Sequence, residues 1–124
     1  MSGIDRILLD TNVLIALDNN HPKVVNRLEG TTAYLSFVSE IELLSFKSIS
    51  PLHRQKLKQM IGFFTVIDLN PQIKECAVEL RLKNNVKLPD ALIAATSMVY
   101  RLPLFTADIG FEKIPDLECI IFEV

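Results

Sequence analysis

The chain has 124 residues, of which 49% are hydrophobic and 23% are charged, a composition that is typical of a globular domain and excludes intrinsic disorder. Its formal net charge of −2 provides no general attraction to nucleic acid, so contact with a polyanion requires a local basic patch. No apolar run approaches the roughly 18 residues that span a membrane, and the N-terminus shows no secretory signal pattern. We therefore expect a single cytoplasmic domain over residues 1–124.

Strand and helix patterns alternate along the first half of the chain. A buried strand is predicted at 6–9, a short apolar helix at 11–18 and a second helix from Pro22 to about Leu28. A strand at 33–37 precedes a helix that is predicted to start at Ser39.

The second half continues the alternation. Ser50-Pro51 and Asn70-Pro71 are each typical of a helix start. Strands are predicted at 65–69, 103–106 and 119–122, and residues 90–100 are apolar nearly all round, as in a helix packed inside a protein. This order predicts an α/β fold with a mostly parallel central sheet flanked by helices.

Four acidic residues fall close to strand ends or helix starts in this scheme: Asp10, Glu42, Asp90 and Asp108. Taken singly, each has a structural explanation, because Asp10 and Asp90 suit helix caps, Ser39 with Glu42 fits a capping box, and Asp108 suits a turn. Taken together, they would crowd at the carboxyl edge of a parallel sheet. Two unit charges about 5 Å apart repel by roughly 3 kcal/mol at an effective dielectric near 20, so the cluster needs a cation. Oxygen ligands suit Mg²⁺ or Mn²⁺, which predicts metal-assisted phosphodiester hydrolysis.

Four segments carry a resemblance in the same order: LLDTNVLIAL, SEIELL, LPDALIAAT and LFTAD. The chain resembles the PIN-domain nucleases over nearly its whole length, in particular the small VapC-type toxins of toxin–antitoxin pairs. The resemblance implies a PIN-like α/β/α sandwich and a Mg²⁺- or Mn²⁺-dependent endoribonuclease that cleaves RNA. It also implies a cognate antitoxin and a homodimer.

The resemblance also assigns residues. Asp10, Glu42, Asp90 and Asp108 match the family's metal-binding acids, and Asn12 and Thr106 match polar residues that support the site. Glu40 is the rival for the second acid, although it points about 200° round a helix from Glu42. Many relatives carry another acid shortly after the fourth position. Here Gly110 stands in that region, which leaves Glu112 as a weak substitute.

Basic residues for RNA contact are few. Arg81, Lys83 and Lys87 lead directly into the segment that contains Asp90, so they are weak candidates for RNA binding. Arg54 and Lys58 fit a solvated helix face better, and the two histidines, His21 and His53, are expected on the solvated surface.

Two rival functions lack the residues they need. A receiver-like phosphotransfer domain would carry a lysine near its last site strand, where PLFTAD has none, and a haloacid-type phosphatase would need an acid where Asn12 stands. A stand-alone RNA-processing nuclease and a non-catalytic PIN-like RNA- or protein-binding module stay open. The cysteines, Cys76 and Cys119, lack the spacing of a zinc site and are expected to be reduced core thiols.

The segment IGFF at 61–64 predicts a contact between chains. Ile61, Phe63 and Phe64 fall on more than one helix face, and one core covers only one stripe of a helix. We expect this surface to lie in a symmetric dimer or under an antitoxin segment.

Overall fold

The structure, a computed structural model, describes residues 5–123 and contains a five-stranded sheet in which all neighbouring strands are parallel. The strands are β1 (Asp5–Leu9), β2 (Thr31–Ser36), β3 (Thr65–Ile67), β4 (Leu104–Thr106) and β5 (Cys119–Ile121), in the spatial order β3-β2-β1-β4-β5. In the central strand β1, Leu9 lies opposite Leu35 of β2 and Phe105 of β4. The predicted α/β class with a mostly parallel sheet is confirmed.

Helices connect the strands and cover both faces of the sheet. They are α1 (Thr11–Asp18), α2 (Pro22–Leu28), α3 (Phe37–Leu44), α4 (Pro51–Ile61), α5 (Pro71–Lys83) and α6 (Leu88–Tyr100), with a 3-10 helix at Ile109–Lys113. Ser50 and Asn70 cap α4 and α5, because their side chains accept the backbone N–H groups of His53 and Ile73. Such caps contribute about 1 kcal/mol each. None of the helices within residues 5–123 has the length and apolar character that crossing a bilayer requires.

The apolar run of β1 explains why the sheet is sandwiched. Ile7, Leu8 and Leu9 are all fully buried, and successive side chains of a strand point to opposite faces. Leu8 belongs to a core shared with α5 and α6, whereas Ile7 and Leu9 belong to a core shared with α1, α2 and α4. Helix α3 contributes Val38 to the first core and Leu43 to the second. It therefore lies beside the carboxyl edge, between the two layers.

Several predicted boundaries differ by one or two residues from those of the structure, and the differences at β2, α3 and β3 lie at the carboxyl edge. Strand β2 ends at Ser36, and α3 begins at Phe37 rather than at Ser39. The buried Ser36 hydroxyl accepts the N–H of Val38 at 3.1 Å, so the chain turns from strand to helix without a loop. Strand β3 ends at Ile67 rather than at residue 69, because its only neighbour, β2, offers no backbone beyond Ser36 for pairing.

The predicted IGFF surface is smaller than expected. Helix α4 ends at Ile61, which is buried, and the half-buried Phe64 packs against the core. Phe63 is 86% exposed and is the aromatic side chain of this segment that faces solvent.

Candidate active site

Asp10 lies at the end of the central strand and serves two purposes. Its Oδ1 atom accepts the N–H of Thr11 at 2.8 Å, which caps α1, and its backbone N–H donates to Phe105 O of β4 at 2.9 Å. Its Oδ2 atom accepts the Thr106 hydroxyl at 2.6 Å and the Asn12 amide at 3.2 Å. The side chain is only 6% exposed, so the carboxylate is held in one orientation. The capping interpretation is therefore correct, and it does not compete with a role in a site.

The last residue of β4 donates to the same carboxylate, and the two residues after it are hydrogen-bonded to Asn12 and Thr106. The Thr106 hydroxyl donates to Asp10 and accepts the N–H of Asp108 at 3.0 Å. The Asn12 carbonyl oxygen accepts the N–H of Ala107 at 3.1 Å. These bonds fix the segment after β1 against the segment after β4.

Glu42 reaches the site from α3, but not in the predicted way. Because Ser36 is the N-cap, Ser39 does not cap the helix, the proposed capping box is wrong, and Glu42 lies in the second turn. Its Oε1 atom accepts the Thr11 hydroxyl at 2.7 Å, and this hydroxyl also lies 3.0 Å from the hydroxyl of Ser39. Glu40 lies in the first turn of α3, two residues before Glu42. The contact with Thr11 places Glu42 beside the residue that follows Asp10.

Asp90 is the third residue of α6, and it is half-buried. The N-cap of this helix is Lys87, so the prediction that Asp90 could be a cap is wrong. Burial raises the pKa of the Asp90 carboxyl, and the charges of Asp108 and Glu42 raise it further, against the opposing effect of Lys87 and Lys113. Asp90 thus lies within electrostatic range of two other predicted site acids.

The pKa of the Asp10 carboxyl is raised by the same kinds of effect as that of Asp90. Burial is the main cause that raises it, and the charges of Asp90 and Glu42 add to the effect. The hydrogen bonds from Thr106 and Thr11 oppose the shift because they stabilise the charged form. The structure therefore brings all four predicted acids, by way of Asp90, into one electrostatically coupled group at the carboxyl edge.

Asp108 starts the 3-10 helix, and its Oδ1 atom accepts the N–H of Gly110 at 2.8 Å. A Cβ atom at position 110 would lie 2.9 Å from this oxygen, so a side chain there would collide with the Asp108 carboxylate. An additional acid at position 110 is therefore incompatible with this orientation of Asp108. Glu112 is exposed and raises the pKa of the Cys119 thiol, after the larger effect of burial.

The predicted basic residues are distributed unevenly. Arg81 and Lys83 are exposed at the end of α5, where Lys83 forms an ion pair with Glu79 at 3.0 Å. Lys87 lines a cavity of about 390 Å³ beside Asp90. Among these three candidates, Lys87 lies nearest to the acids. Arg54 is half-buried and donates to the carbonyl oxygen of Leu44, whereas Lys58 is exposed, as expected for a solvated helix face.

The two histidines are not simple surface residues either. His53 lies 2.7 Å from Asp18, and His21 caps α2 and packs edge-on against Phe122 with ring centroids 4.9 Å apart. Both have structural partners outside the group of acids. Cys76 and Cys119 are free and half-buried.

A divalent ion fits the donors of the site only as a hydrated ion. Within residues 5–123, no three His, Cys, Asp or Glu side chains lie close enough together to hold an ion by themselves. Mg²⁺, however, usually keeps several waters and binds through one or two carboxylates. The carboxylates of Asp10 and Asp90 are raised in pKa by burial and then by acidic neighbours, and a cation would relieve that repulsion. All-oxygen donors of this kind suit Mg²⁺ or Mn²⁺.

Two residues of the site were missed by the sequence interpretation. Thr11 connects Glu42 to the segment after β1, and its position directly after Asp10 was an available signal. Lys113 lines the cavity beside Asp90, but it follows the fourth acid in an irregular segment, where no periodicity predicts its direction.

Comparison with known proteins agrees with this geometry. Residues 7–117 match the family model of the PIN domain. Ribonuclease VapC6 from Methanocaldococcus jannaschii is 36% identical over 70 residues, which are 54% of this chain and 46% of that protein. The match thus spans about half the length of this curated relative.

Two solved structures share the fold. One is VapBC2 from Rickettsia felis bound to a DNA fragment from its promoter, with a TM-score of 0.84 and 24% identity. The other is a toxin–antitoxin complex from Klebsiella pneumoniae, with a TM-score of 0.82 and 29% identity. Each comparison covers 95% of this chain and 99% of the other chain. The resemblance to VapC-type proteins that the motifs predict is confirmed, and the chain belongs to the PIN domain family.

Proposed function

We propose that this chain is a divalent-metal-dependent endoribonuclease that hydrolyses RNA phosphodiester bonds and acts as the toxin of a toxin–antitoxin pair. The observation that carries the proposal is the coupling of four carboxylates at one sheet edge, where the pKa of Asp10 and Asp90 is raised by burial and by acidic neighbours. Repulsion among these carboxylates costs stability, and a catalytic metal that offsets this repulsion explains their proximity best. The names of the relatives, a ribonuclease and two complexes that contain antitoxins, support the same activity.

Asp10, Asp90 and Asp108 are the residues that would hold Mg²⁺ or Mn²⁺, with Glu42 contributing directly or through water. A bound ion of this kind polarises a phosphate and lowers the pKa of a coordinated water. The protein's own contribution is orientation. Thr106 fixes one oxygen of Asp10, and Thr11 positions Glu42. Because these donors are already in place, the carboxylates need little reorganisation to bind a cation and a scissile phosphate.

Partners follow from the same proposal. The substrate is RNA, the inhibitor is a cognate antitoxin, and the chain forms a homodimer in which the exposed Phe63 contributes to a contact between chains. A cytoplasmic location and a single nuclease domain over residues 1–124 belong to this proposal as well. The alternatives are a stand-alone PIN-type RNA-processing nuclease and a non-catalytic PIN-like binding module.

The test uses Asp10→Asn with Asp5→Asn as its matched control. Asp5 lies at the other end of β1, is exposed and pairs with Arg27, so its loss leaves the carboxyl edge unchanged. We expect Asp10→Asn to abolish cleavage of a labelled single-stranded RNA in Mg²⁺ or Mn²⁺, and Asp5→Asn to cleave like the wild type. Equal cleavage by both variants would remove Asp10 from the active site, and a wild type that does not cleave RNA in either metal would overturn the nuclease function.

The toxin role needs its own experiment. Expression of the wild-type chain should arrest growth, and co-expression of the product of an adjacent short gene should relieve the arrest. Metal-dependent RNA cleavage without growth arrest would favour the RNA-processing nuclease instead.

A further inference from the structure

A cavity of about 390 Å³ lies beside Asp90 and Asp108. Residues 85–87, which precede α6, form one wall, and the 3-10 segment forms the other. The two walls are joined because the Lys113 ammonium donates to the carbonyl oxygen of Asn85 at 2.7 Å. This volume is within the range of about 300–1,000 Å³ that is typical of ligand sites. The cavity is therefore a bounded space that opens on the group of acids.

Two lysines line this cavity, Lys87 and Lys113. Both act on the Asp90 carboxyl in the direction opposite to its acidic neighbours, so both lie within its electrostatic range. Neither takes part in an ion pair among residues 5–123, where the pairs are Arg27–Asp5, His53–Asp18 and Lys83–Glu79. An ammonium has three N–H donors, and Lys113 uses one of them on a neutral carbonyl. The two lysines thus lie near the acids without forming ion pairs with them.

We propose that Lys87 and Lys113 form a binding site for one RNA backbone phosphate, the one adjacent to the scissile phosphate. The inference rests on the proposed nuclease function, and it names the part of the substrate that this cavity receives. A cluster of carboxylates repels RNA, so the strand needs positive contacts on each side of the cleavage position. The bond to Asn85 fixes the position of the Lys113 ammonium before RNA arrives, which reduces the entropy lost on binding.

Simple neutralisation of the acids is the competing role for these lysines. In that case the ammonium groups would be expected to lie in direct ion pairs with Asp90 or Asp108, and Lys113 instead bonds to a carbonyl oxygen. The two roles also differ in what a substitution changes. Loss of a phosphate contact weakens RNA binding and its salt dependence, whereas loss of a neutralising charge lowers the stability of the metal-free protein and leaves that salt dependence unchanged.

The test measures the affinity of a labelled single-stranded RNA over a range of KCl concentrations. All variants are made in an Asp10→Asn background with Mg²⁺, so that the RNA stays intact. Each phosphate contact to a single strand contributes about 0.7 to the slope of log K against log salt concentration. Because both lysines contact the same phosphate, we expect the double variant Lys87→Met/Lys113→Met to reduce the slope by about 0.7 and Lys113→Met alone to reduce it by less. Lys113→Arg, which keeps the charge, should have the same slope as the Asp10→Asn parent protein.

Lys74→Met is the matched control. Lys74 lies near the start of α5, and this end of the helix contacts the C-terminal end of α6 through the bond between Asn70 and Tyr100. Asp90 lies at the opposite end of α6, so this control removes the same charge far from the cavity. The slope for Lys74→Met should equal that of the Asp10→Asn parent protein.

A scan of the RNA with one uncharged methylphosphonate linkage at a time locates the phosphate. One linkage beside the cleavage position should weaken binding to the protein that has both lysines and have no effect on the double variant Lys87→Met/Lys113→Met, because the two changes remove the same interaction. Unchanged slopes for both lysine variants would overturn the phosphate site even if the wild type cleaves RNA. If the wild type never cleaves RNA but the lysine variants still have reduced slopes, the phosphate site is upheld and the nuclease function is overturned.

Discussion

Replacing Thr106 by valine removes a hydroxyl that serves two site residues at once. The side chain is fully buried, donates to the Asp10 carboxylate at 2.6 Å and accepts the N–H of Asp108 at 3.0 Å. Valine has nearly the same shape, so the substitution removes hydrogen bonds without opening a cavity. A hydrogen bond to a charged group contributes about 1.5–3 kcal/mol, and a buried donor left without a partner costs about 1–3 kcal/mol. Because Asp108 can reach water in part, we expect Thr106→Val to lower the free energy of unfolding by about 3 kcal/mol.

Thr106→Ser distinguishes the effect of losing the hydroxyl from the effect of losing the methyl group. Serine keeps both hydrogen bonds and loses one methyl, which costs about 1 kcal/mol. The two variants should therefore differ by about 2 kcal/mol in urea unfolding with EDTA, or by about 1 M in midpoint when the slope is near 2 kcal/mol per molar urea. Equal midpoints for valine and serine would refute the argument that this hydroxyl organises the site.

The pH dependence gives a second check on the same substitution. The Thr106 hydroxyl stabilises the charged form of Asp10, and burial nevertheless keeps the pKa of Asp10 above its ordinary value. The stability difference between wild type and Thr106→Val should be largest where Asp10 is charged in the folded protein. It should shrink as the pH falls through the raised pKa of Asp10.

Four further predictions concern metal, the second acid, acidification and the exposed aromatic. Millimolar Mn²⁺ added to the EDTA-treated protein should raise its melting temperature, because a ligand that binds only the folded state stabilises it, and coincident melting curves would contradict a metal site. Glu42→Gln should reduce RNA cleavage by about 10–100-fold while Glu40→Gln has little effect, and the reverse ranking would assign the role to Glu40. Because burial raises the pKa of Asp10 and Asp90, the folded protein favours their protonated forms, so the metal-free urea midpoint should increase as the pH falls from neutral through these raised pKa values; a falling midpoint would count against coupled acids. Phe63→Glu should leave the melting temperature unchanged and weaken self-association or antitoxin binding in sedimentation experiments, and unchanged association would remove Phe63 from the contact.

The sequence predicts the order of elements better than the geometry between them. Buried strands and proline-headed helices follow from local patterns, such as the fully buried run at 7–9 and the caps at Ser50 and Asn70. The start of α3 was misplaced because Ser36 and Ser39 are both good caps, and only the pairing of β2 with its neighbours decides where the strand stops.

The candidate site, like the fold, can be predicted from the sequence only in part. Acidic residues could be selected because their positions relative to strand ends are readable from the sequence. The link from Thr11 to Glu42 and the position of Lys113 depend on how α3 and the 3-10 segment pack, which no local pattern encodes. Gly110 is a further case, since the reason for a glycine there is an oxygen of Asp108 at 2.9 Å from where its Cβ would stand.

The bond between Thr106 and Asp10 spans 96 positions along the chain. During synthesis, the central strand β1 is made early, while its neighbour β4, which supplies this hydroxyl, is made only after six helices and two other strands. Chains grow at about 5–20 residues per second, so several seconds separate the synthesis of Asp10 from that of Thr106. Pairings between such distant segments also form slowly. A ribosome that is translating this message therefore carries Asp10 for seconds before Thr106 and Asp108 are made, so the site cannot assemble during that interval.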